Sequence, residues 1–250
     1  MLWDFTKEKF DIIIQAGQSN AEGCGIGNVS DPYVPVVDIL HLENDFSITP
    51  ARERIDGNCI CANFALTFSK KYIEDGRLDE GRKLLIIRSA VGGTGFSDHR
   101  WGMTEDLYLK MMEMTRTAVE LNPENRVVAL LWHQGETDAG NHMKGDEYRG
   151  NLMKLFDSVR EEFGKEIPIV CGDFVYDWKN QNAEICAPII SAQKQIVSEI
   201  SRAAFVETDG LESNKEIGES EYDDIHFCRR DLYVLGQRYY EAYTEALNRK

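Results

Sequence analysis

A nucleophile, a base and an acid of the kinds used in acyl transfer stand at two distant points of this 250-residue chain. Ser19 lies near the end of the run Asp11-Ile12-Ile13-Ile14-Gln15-Ala16-Gly17-Gln18-Ser19-Asn20. Far downstream, Tyr222-Asp223-Asp224-Ile225-His226-Phe227 carries a histidine with a carboxylate three positions before it. A serine hydroxyl attacks a carbonyl only when a base takes its proton, and the imidazole needs a carboxylate to fix its tautomer and stabilise the imidazolium. His226 is one of five histidines, the others being His41, His99, His133 and His142. Taken alone it reads as a buried or capping residue before the last helix. Taken with Ser19 and Asp223 it reads as the base of a serine hydrolase. Asp224 is the adjacent rival to Asp223, and composition does not separate the two.

Two further segments could hold the charge that develops on a carbonyl oxygen. Gly92-Gly93-Thr94-Gly95 can bring backbone N–H groups to an oxyanion, and the Gln134 side chain carries an NH₂ donor. Glu136 and Asp138 stand beside Gln134. The glycines do not make a nucleotide site: no Gly-Lys-Ser/Thr follows them, and Gly23-x-Gly25-x-Gly27 misses the dinucleotide spacing.

These residues need a scaffold that places them together. Short β-rich apolar runs at 10–15, 83–88, 126–132, 167–171 and 203–207 alternate with helical patterns at 62–74, 105–121, 145–163, 185–200 and 229–248. That alternation predicts an α/β domain, with a parallel sheet covered on both faces. Residues 36–42 and 47–52 break the rhythm and read as a small hairpin or excursion. In an open parallel sheet the site lies beyond the C-terminal ends of the strands. Gly17-Gln18-Ser19-Asn20, Gly92-Gly93-Thr94, Trp132-His133-Gln134-Gly135-Glu136 and the Asp223/His226 loop all fall there. No linker, repeat or low-complexity tract divides the chain, so residues 1–250 are expected to form one domain.

The formal net charge is −15, with a pI of about 4.8. An acidic surface argues against nucleic acid and anionic membranes as partners. The N-terminus has no basic stretch followed by an apolar run, and no apolar run is long enough to span a bilayer, so a cytoplasmic protein is expected. Six cysteines (Cys24, Cys59, Cys61, Cys171, Cys186 and Cys228) form no C-x-x-C pair, and free thiols are expected rather than a zinc site.

The set Gly17-Gln18-Ser19-Asn20, Gly92-Gly93-Thr94, Trp132-His133-Gln134-Gly135-Glu136-Thr137-Asp138 and Asp223-x-x-His226 resembles the sialate O-acetylesterase/acetylxylan esterase family of SGNH hydrolases. The similarity runs in order over nearly the whole chain, and the W-H-Q-G-E-x-D segment is its most specific piece. The resemblance implies a flavodoxin-like three-layer α/β/α sandwich with a parallel five-stranded sheet, and deacetylation of sugars without metal or other cofactor. Carried over by position, it makes Ser19 the nucleophile, with its own N–H as one oxyanion donor. Gly93, or its neighbour Gly92, is the second donor. Gln134 is the third, standing where the wider superfamily has asparagine. Asp223 and His226 complete the triad. Glu136 keeps a claim to the acid, because some relatives use the glutamate of the Q-G-E run. The Ser19 turn is not an α/β-hydrolase elbow, since it lacks the second glycine of G-x-S-x-G.

The expected activity is removal of acetyl groups from a small carbohydrate, with acetylated xylo-oligosaccharides and O-acetyl sialic acids both open. Trp101 and Trp132 are expected near the mouth, where they could stack on a sugar ring. Two other readings compete: a metal-dependent hydrolase built on His133, Glu136, Asp223 and His226, and a carbohydrate-binding protein that keeps the fold without the reaction.

Overall fold

Three consecutive isoleucines can all be buried only if both faces of their strand are covered. The computed structural model, which describes residues 4–249, shows this for β1 (Lys9–Gly17). Ile13 points into a core shared with α2 (Phe64–Glu74) and α8 (Arg229–Asn248). Ile14 points to the opposite core, against α3 (Asp106–Glu120), α5 (Gly145–Phe163) and α7 (Ala183–Glu199), and Ile12 points the same way against the C-terminal half of α3. The result is three layers, with helices on both faces of one sheet.

The remaining strands are β2 (Ile39–Leu42), β3 (Ile48–Pro50), β4 (Arg54–Asp56), β5 (Cys59–Cys61), β6 (Arg82–Ala90), β7 (Arg126–His133), β8 (Ile169–Gly172) and β9 (Ala203–Val206). Short helices α1 (Ser19–Glu22), α4 (Glu136–Gly140) and α6 (Tyr176–Gln181) complete the chain. The main sheet has seven strands in the order β3-β2-β6-β1-β7-β8-β9. All neighbours are parallel except β2 and β3, which pair antiparallel.

This corrects the expectation of a parallel five-stranded sheet. The five expected strands are present and contiguous as β6-β1-β7-β8-β9, which is the flavodoxin-like order 2-1-3-4-5 counted along the chain. The two additional strands come from the segment read as a small hairpin or excursion, and they pair as a hairpin. Leu40 lies opposite Leu85 of β6, so the fully buried β2 extends the sheet, and β3 returns antiparallel. Pro50 sits at the end of β3, an edge position where a missing N–H costs no ladder hydrogen bond. β4 and β5 form a separate two-stranded ribbon.

The N-terminal ends of the central strands are pinned by a buried charge. The Asp11 carboxylate of β1 receives Arg82 Nε at 2.8 Å, Arg126 Nε at 2.6 Å and the Tyr72 hydroxyl at 2.9 Å. Arg82 and Arg126 open β6 and β7, so one carboxylate ties three adjacent strands. On the face covered by α2 and α8, Gly236 lets the helices approach closely, since a Cβ there would run into the Phe64 carbonyl. Thr67 Oγ1 donates to Tyr233 O at 2.9 Å across the same contact.

Candidate active site

The chain leaves β1 through Gly17, whose φ is +136°. A Cβ at this position would collide with the His133 carbonyl, so only glycine fits the close approach to β7. The Gln18 N–H donates to that carbonyl at 3.0 Å, and the Val91 N–H donates to Gly17 O at 3.1 Å. The ends of β6, β1 and β7 are thereby laced together. Ser19 follows as the first residue of α1, 7% exposed.

The loop after β9 brings His226 and Asp223 together. His226 Nδ1 is 2.7 Å from Asp223 Oδ1, and the His226 N–H donates to the same oxygen at 3.3 Å. Asp223 Oδ2 accepts from Asn214 Nδ2 at 2.7 Å. Partial burial pushes the Asp223 carboxyl up, but the hydrogen bonds from His226 and Asn214 and the His226 charge outweigh it and hold the group below its usual value. Asp224 turns the other way, toward Lys215 Nζ at 3.3 Å.

Asn20 joins this loop to the Ser19 turn. Its Nδ2 donates to Ile225 O at 3.0 Å, and its Oδ1 accepts from the Phe227 N–H at 3.1 Å. The residue after Ser19 therefore holds the backbone on both sides of His226. Asn20 Nδ2 also donates to Glu136 Oε1 at 2.9 Å. Neither Asn20 nor Asn214 stood out in the sequence. Asn20 lies inside the quoted Gly17-Gln18-Ser19-Asn20 run, and that was the one available signal.

Glu136 is buried, and desolvation raises its carboxyl above the usual range. Its Oε1 lies 3.8 Å from His133 Nε2, and the His226 charge also acts on the carboxyl, lowering it against the larger effect of burial. His133 is itself fully buried and pushed down to about 3, so it is neutral. The Tyr239 hydroxyl donates to Trp132 O at 2.8 Å, so the 2.9 Å contact to His133 Nδ1 is a bond in which the imidazole is the donor. The Glu136 carboxyl thus faces Asn20 and His133, while Asp223 faces His226.

Gln134 departs from its expected place as an oxyanion donor. It is fully buried, and its Nε2 is already directed at Asp138 Oδ2 (2.8 Å), Thr94 O (3.2 Å) and Gln18 Oε1 (3.3 Å). Two hydrogens facing three acceptors leave none for a substrate. Gln18 Oε1 also accepts the Thr137 N–H at 3.1 Å, so this amide pair braces the Ser19 turn against the start of α4.

Residues 9–245 match the model of a family described as carbohydrate esterase, sialic acid-specific acetylesterase. The chain belongs to this family. Among its relatives is a probable 9-O-acetyl-N-acetylneuraminic acid deacetylase of Escherichia coli K12, 26% identical over 32% of this chain and 27% of that protein. Another is a probable carbohydrate esterase of Arabidopsis thaliana, 26% identical over 64% of this chain and 66% of that protein. The alignments thus span about a quarter and just under two thirds of these relatives. The fold is similar to that of NanS, with a TM-score of 0.79 and 18% identity over 95% of this chain and 97% of that one.

Within this esterase-family chain the two glycines of the second segment differ in placement. A Cβ on Gly92 would lie 3.4 Å from Ser19 Cβ, whereas one on Gly93 would meet nothing within 4 Å. Gly92 is therefore the glycine packed on Ser19, and its N–H is engaged by Glu22 Oε2 at 2.8 Å. The tryptophans expected at the mouth lie in the core instead. Trp101 and Trp132 are fully buried, pack edge to face with centroids 5.1 Å apart, and donate to Thr94 and Tyr148. Neither offers a face to a sugar. Among the described residues, no three His, Cys, Asp or Glu side chains are grouped so as to hold a metal ion.

Proposed function

We propose that this family member is a carbohydrate O-acetylesterase that works through a serine acyl-enzyme. The supporting observation is the 2.7 Å contact of Asp223 with His226, on a loop gripped on both sides by the residue that follows Ser19. With Nδ1–H committed to Asp223, Nε2 is the free nitrogen that takes the proton of Ser19 Oγ. Oγ bonds to the acetyl carbonyl carbon, and the tetrahedral oxyanion is held by the N–H groups of Ser19 and of the Gly92-Gly93 turn. The imidazolium returns its proton to the sugar oxygen as the C–O bond breaks. Water then attacks the acetyl-enzyme, again with His226 as base, and acetate leaves. In this reading Gln134 supports the turn rather than the oxyanion.

The substrate class is a small acetylated sugar, either an O-acetyl sialic acid or an acetylated xylo-oligosaccharide. The name of the Escherichia coli relative favours the former. No helix among the described residues is long and apolar enough to cross a membrane, and action on small sugars in the cytoplasm belongs to the same proposal. A metal-dependent reaction is disfavoured because Asp223 and His226 are paired with each other, and among the described residues no three His, Cys, Asp or Glu side chains are grouped to hold an ion.

The experiment is hydrolysis of p-nitrophenyl acetate and acetylated sugars by wild type and Ser19→Ala. A folded Ser19→Ala protein should lose about three to six orders of magnitude in kcat/KM. A serine-directed phosphonate should label Ser19, and activity should survive dialysis against EDTA. Near wild-type turnover by Ser19→Ala, or loss on chelation with rescue by zinc, would sink the reading.

A further inference from the structure

The sheet edge that carries Ser19 holds a second opening. A cleft of about 510 Å³ lies between the β6–α3 connection and the start of α5. Phe96, His99 and Glu105 line one wall, and His142, Met143 and Glu147 line the other. The two walls follow the C-terminal ends of β6 and β7, the strands on either side of β1. Ligands of open α/β sheets gather at that edge. The first wall begins at the Gly92-Gly93 turn, and Phe96 is three residues beyond Gly93. Three residues of chain span at most about 11 Å. A Cβ on Gly93 would meet nothing within 4 Å, so no side chain fills the space at the turn.

The cleft is preformed. Asn141 Nδ2 donates to Ser97 Oγ at 3.0 Å and ties one wall to the other. The Asp138 carboxylate accepts the N–H groups of Phe96 at 3.1 Å and Ser97 at 2.7 Å. It also accepts the Gln134 amide, which reaches Gln18, the residue before Ser19. The cleft is thereby fixed in position relative to Ser19.

Each wall carries a histidine in a costly backbone conformation. His99 has φ of +59° and His142 has φ of +57°, where a Cβ is crowded and glycine is favoured. Both are exposed, so no core packing demands an imidazole at either place. Strain retained at exposed positions on a cleft points to a use for the side chains. Glu105 orients one of them, with Oε1 3.3 Å from His99 Nδ1. Phe96, almost wholly buried, closes the bottom with Met143 beside it. An apolar floor under a rim of imidazoles and carboxylates suits a sugar ring, whose C–H face packs while its hydroxyls donate and accept.

Resting on the esterase reading, we propose that this cleft is a second sugar subsite. It holds the hydroxyl-rich ring that is glycosidically linked to the acetylated sugar, and His99 and His142 are its specificity-determining residues. The acetylated ring lies at Ser19 and its neighbour lies in the cleft, so acetylated disaccharides are preferred over the matching single sugars.

The test uses p-nitrophenyl acetate and two matched pairs of esters. One pair is an acetylated methyl xyloside and the acetylated methyl xylobioside. The other is the methyl glycoside of an O-acetyl sialic acid and its galactoside. Wild type should favour the two-ring member of at least one pair by about tenfold in kcat/KM, the scale of one or two added hydrogen bonds. The pair that shows the preference identifies the source of the second ring. His99→Gly, His142→Gly and Glu147→Ala should each erode it, and the double variant His99→Gly/His142→Gly should abolish it. Turnover of p-nitrophenyl acetate and of the single-ring esters should be unchanged. Glycine accepts positive φ without a Cβ clash, so the double variant should also keep its Tm. Equal wild-type rates within both pairs, a preference that survives the double variant, or a fall in Tm with an equal loss on every ester would overturn the proposal. Failure of the esterase reading shows separately, as wild-type turnover by Ser19→Ala or as no turnover of any ester by wild type.

Discussion

Asn214 stands behind Asp223: its amide donates to Oδ2 at 2.7 Å while Oδ1 takes the imidazole of His226 at the same distance. Asn214 is itself anchored, with Nδ2 on Cys24 O at 3.1 Å and Oδ1 on the Ile26 N–H at 3.0 Å. Asp223, the proposed acid of the triad, is therefore oriented from the segment that follows α1.

Asp223→Asn should cut kcat by up to about 10⁴ with KM little changed, because the tautomer of His226 is then no longer fixed. Asn214→Ala should give a smaller loss, on the order of 10–10². Steady-state kinetics on p-nitrophenyl acetate would check both, with circular dichroism to confirm folding. Equal activity of Asp223→Asn and wild type would remove Asp223 from the triad.

Asn20→Ala should lower kcat by roughly 10–10² while leaving KM nearly unchanged, since the grip on His226 is lost but the donors around Ser19 remain. A variant that loses stability but retains kcat would mark Asn20 as a packing residue only.

Glu136 gives a pH signature of definite sign. Its carboxyl is raised by burial, so between the unperturbed value of about 4.3 and the higher folded value the native state keeps a proton that the unfolded chain has lost. The stability linked to this group is fully present below that unperturbed value and falls as pH rises through the window. Glu136→Gln does not titrate, so its denaturation midpoint should gain on wild type as pH rises. Its kcat should fall less than that of Asp223→Asn. A constant difference in midpoint across pH would show that Glu136 is ionised in the fold.

Asp11→Ala should destabilise the protein by about 3 kcal/mol or more, because two arginines and a tyrosine lose a buried partner. Its kcat should be unchanged while it remains folded, since Asp11 lies at the end of β1 opposite Ser19. Urea melts and kinetics at low denaturant would check this. A loss under about 1 kcal/mol would mean that the pair does little beyond offsetting its own desolvation.

The sequence carried the fold where the pattern was regular. Ile12, Ile13 and Ile14 demanded cover on both faces, and the long helices showed their apolar periodicity. The β2–β3 pair matches the hairpin reading of residues 36–42 and 47–52, but its membership of the main sheet was not legible, because four- and three-residue strands have too few positions to display a period and the pairing of β2 with β6 depends on distant residues. The Asp223–His226 pair was legible because both groups belong to one short loop. The placement of Gln134 was not, since its three acceptors come from Gln18, Thr94 and Asp138. The burial of Trp101, in the loop after β6, and of Trp132, near the end of β7, was hidden for the same reason, as residues near a strand end reveal their neighbours only after folding.

The bond between Asn20 and Ile225 joins positions 205 residues apart, with every strand of the main sheet after β1 between them. The loop that carries His226 sits between β9 and α8, and α8 packs on α2 from early in the chain. A nascent chain therefore makes Ser19, the proposed nucleophile, before most of the sheet and His226, its proposed base, only after all of the sheet. Fragments that stop short of the last helix should be silent as esterases, however well their first strands form. Recovery of turnover during refolding would thus time the last long-range closure of the domain, later than any signal from secondary structure.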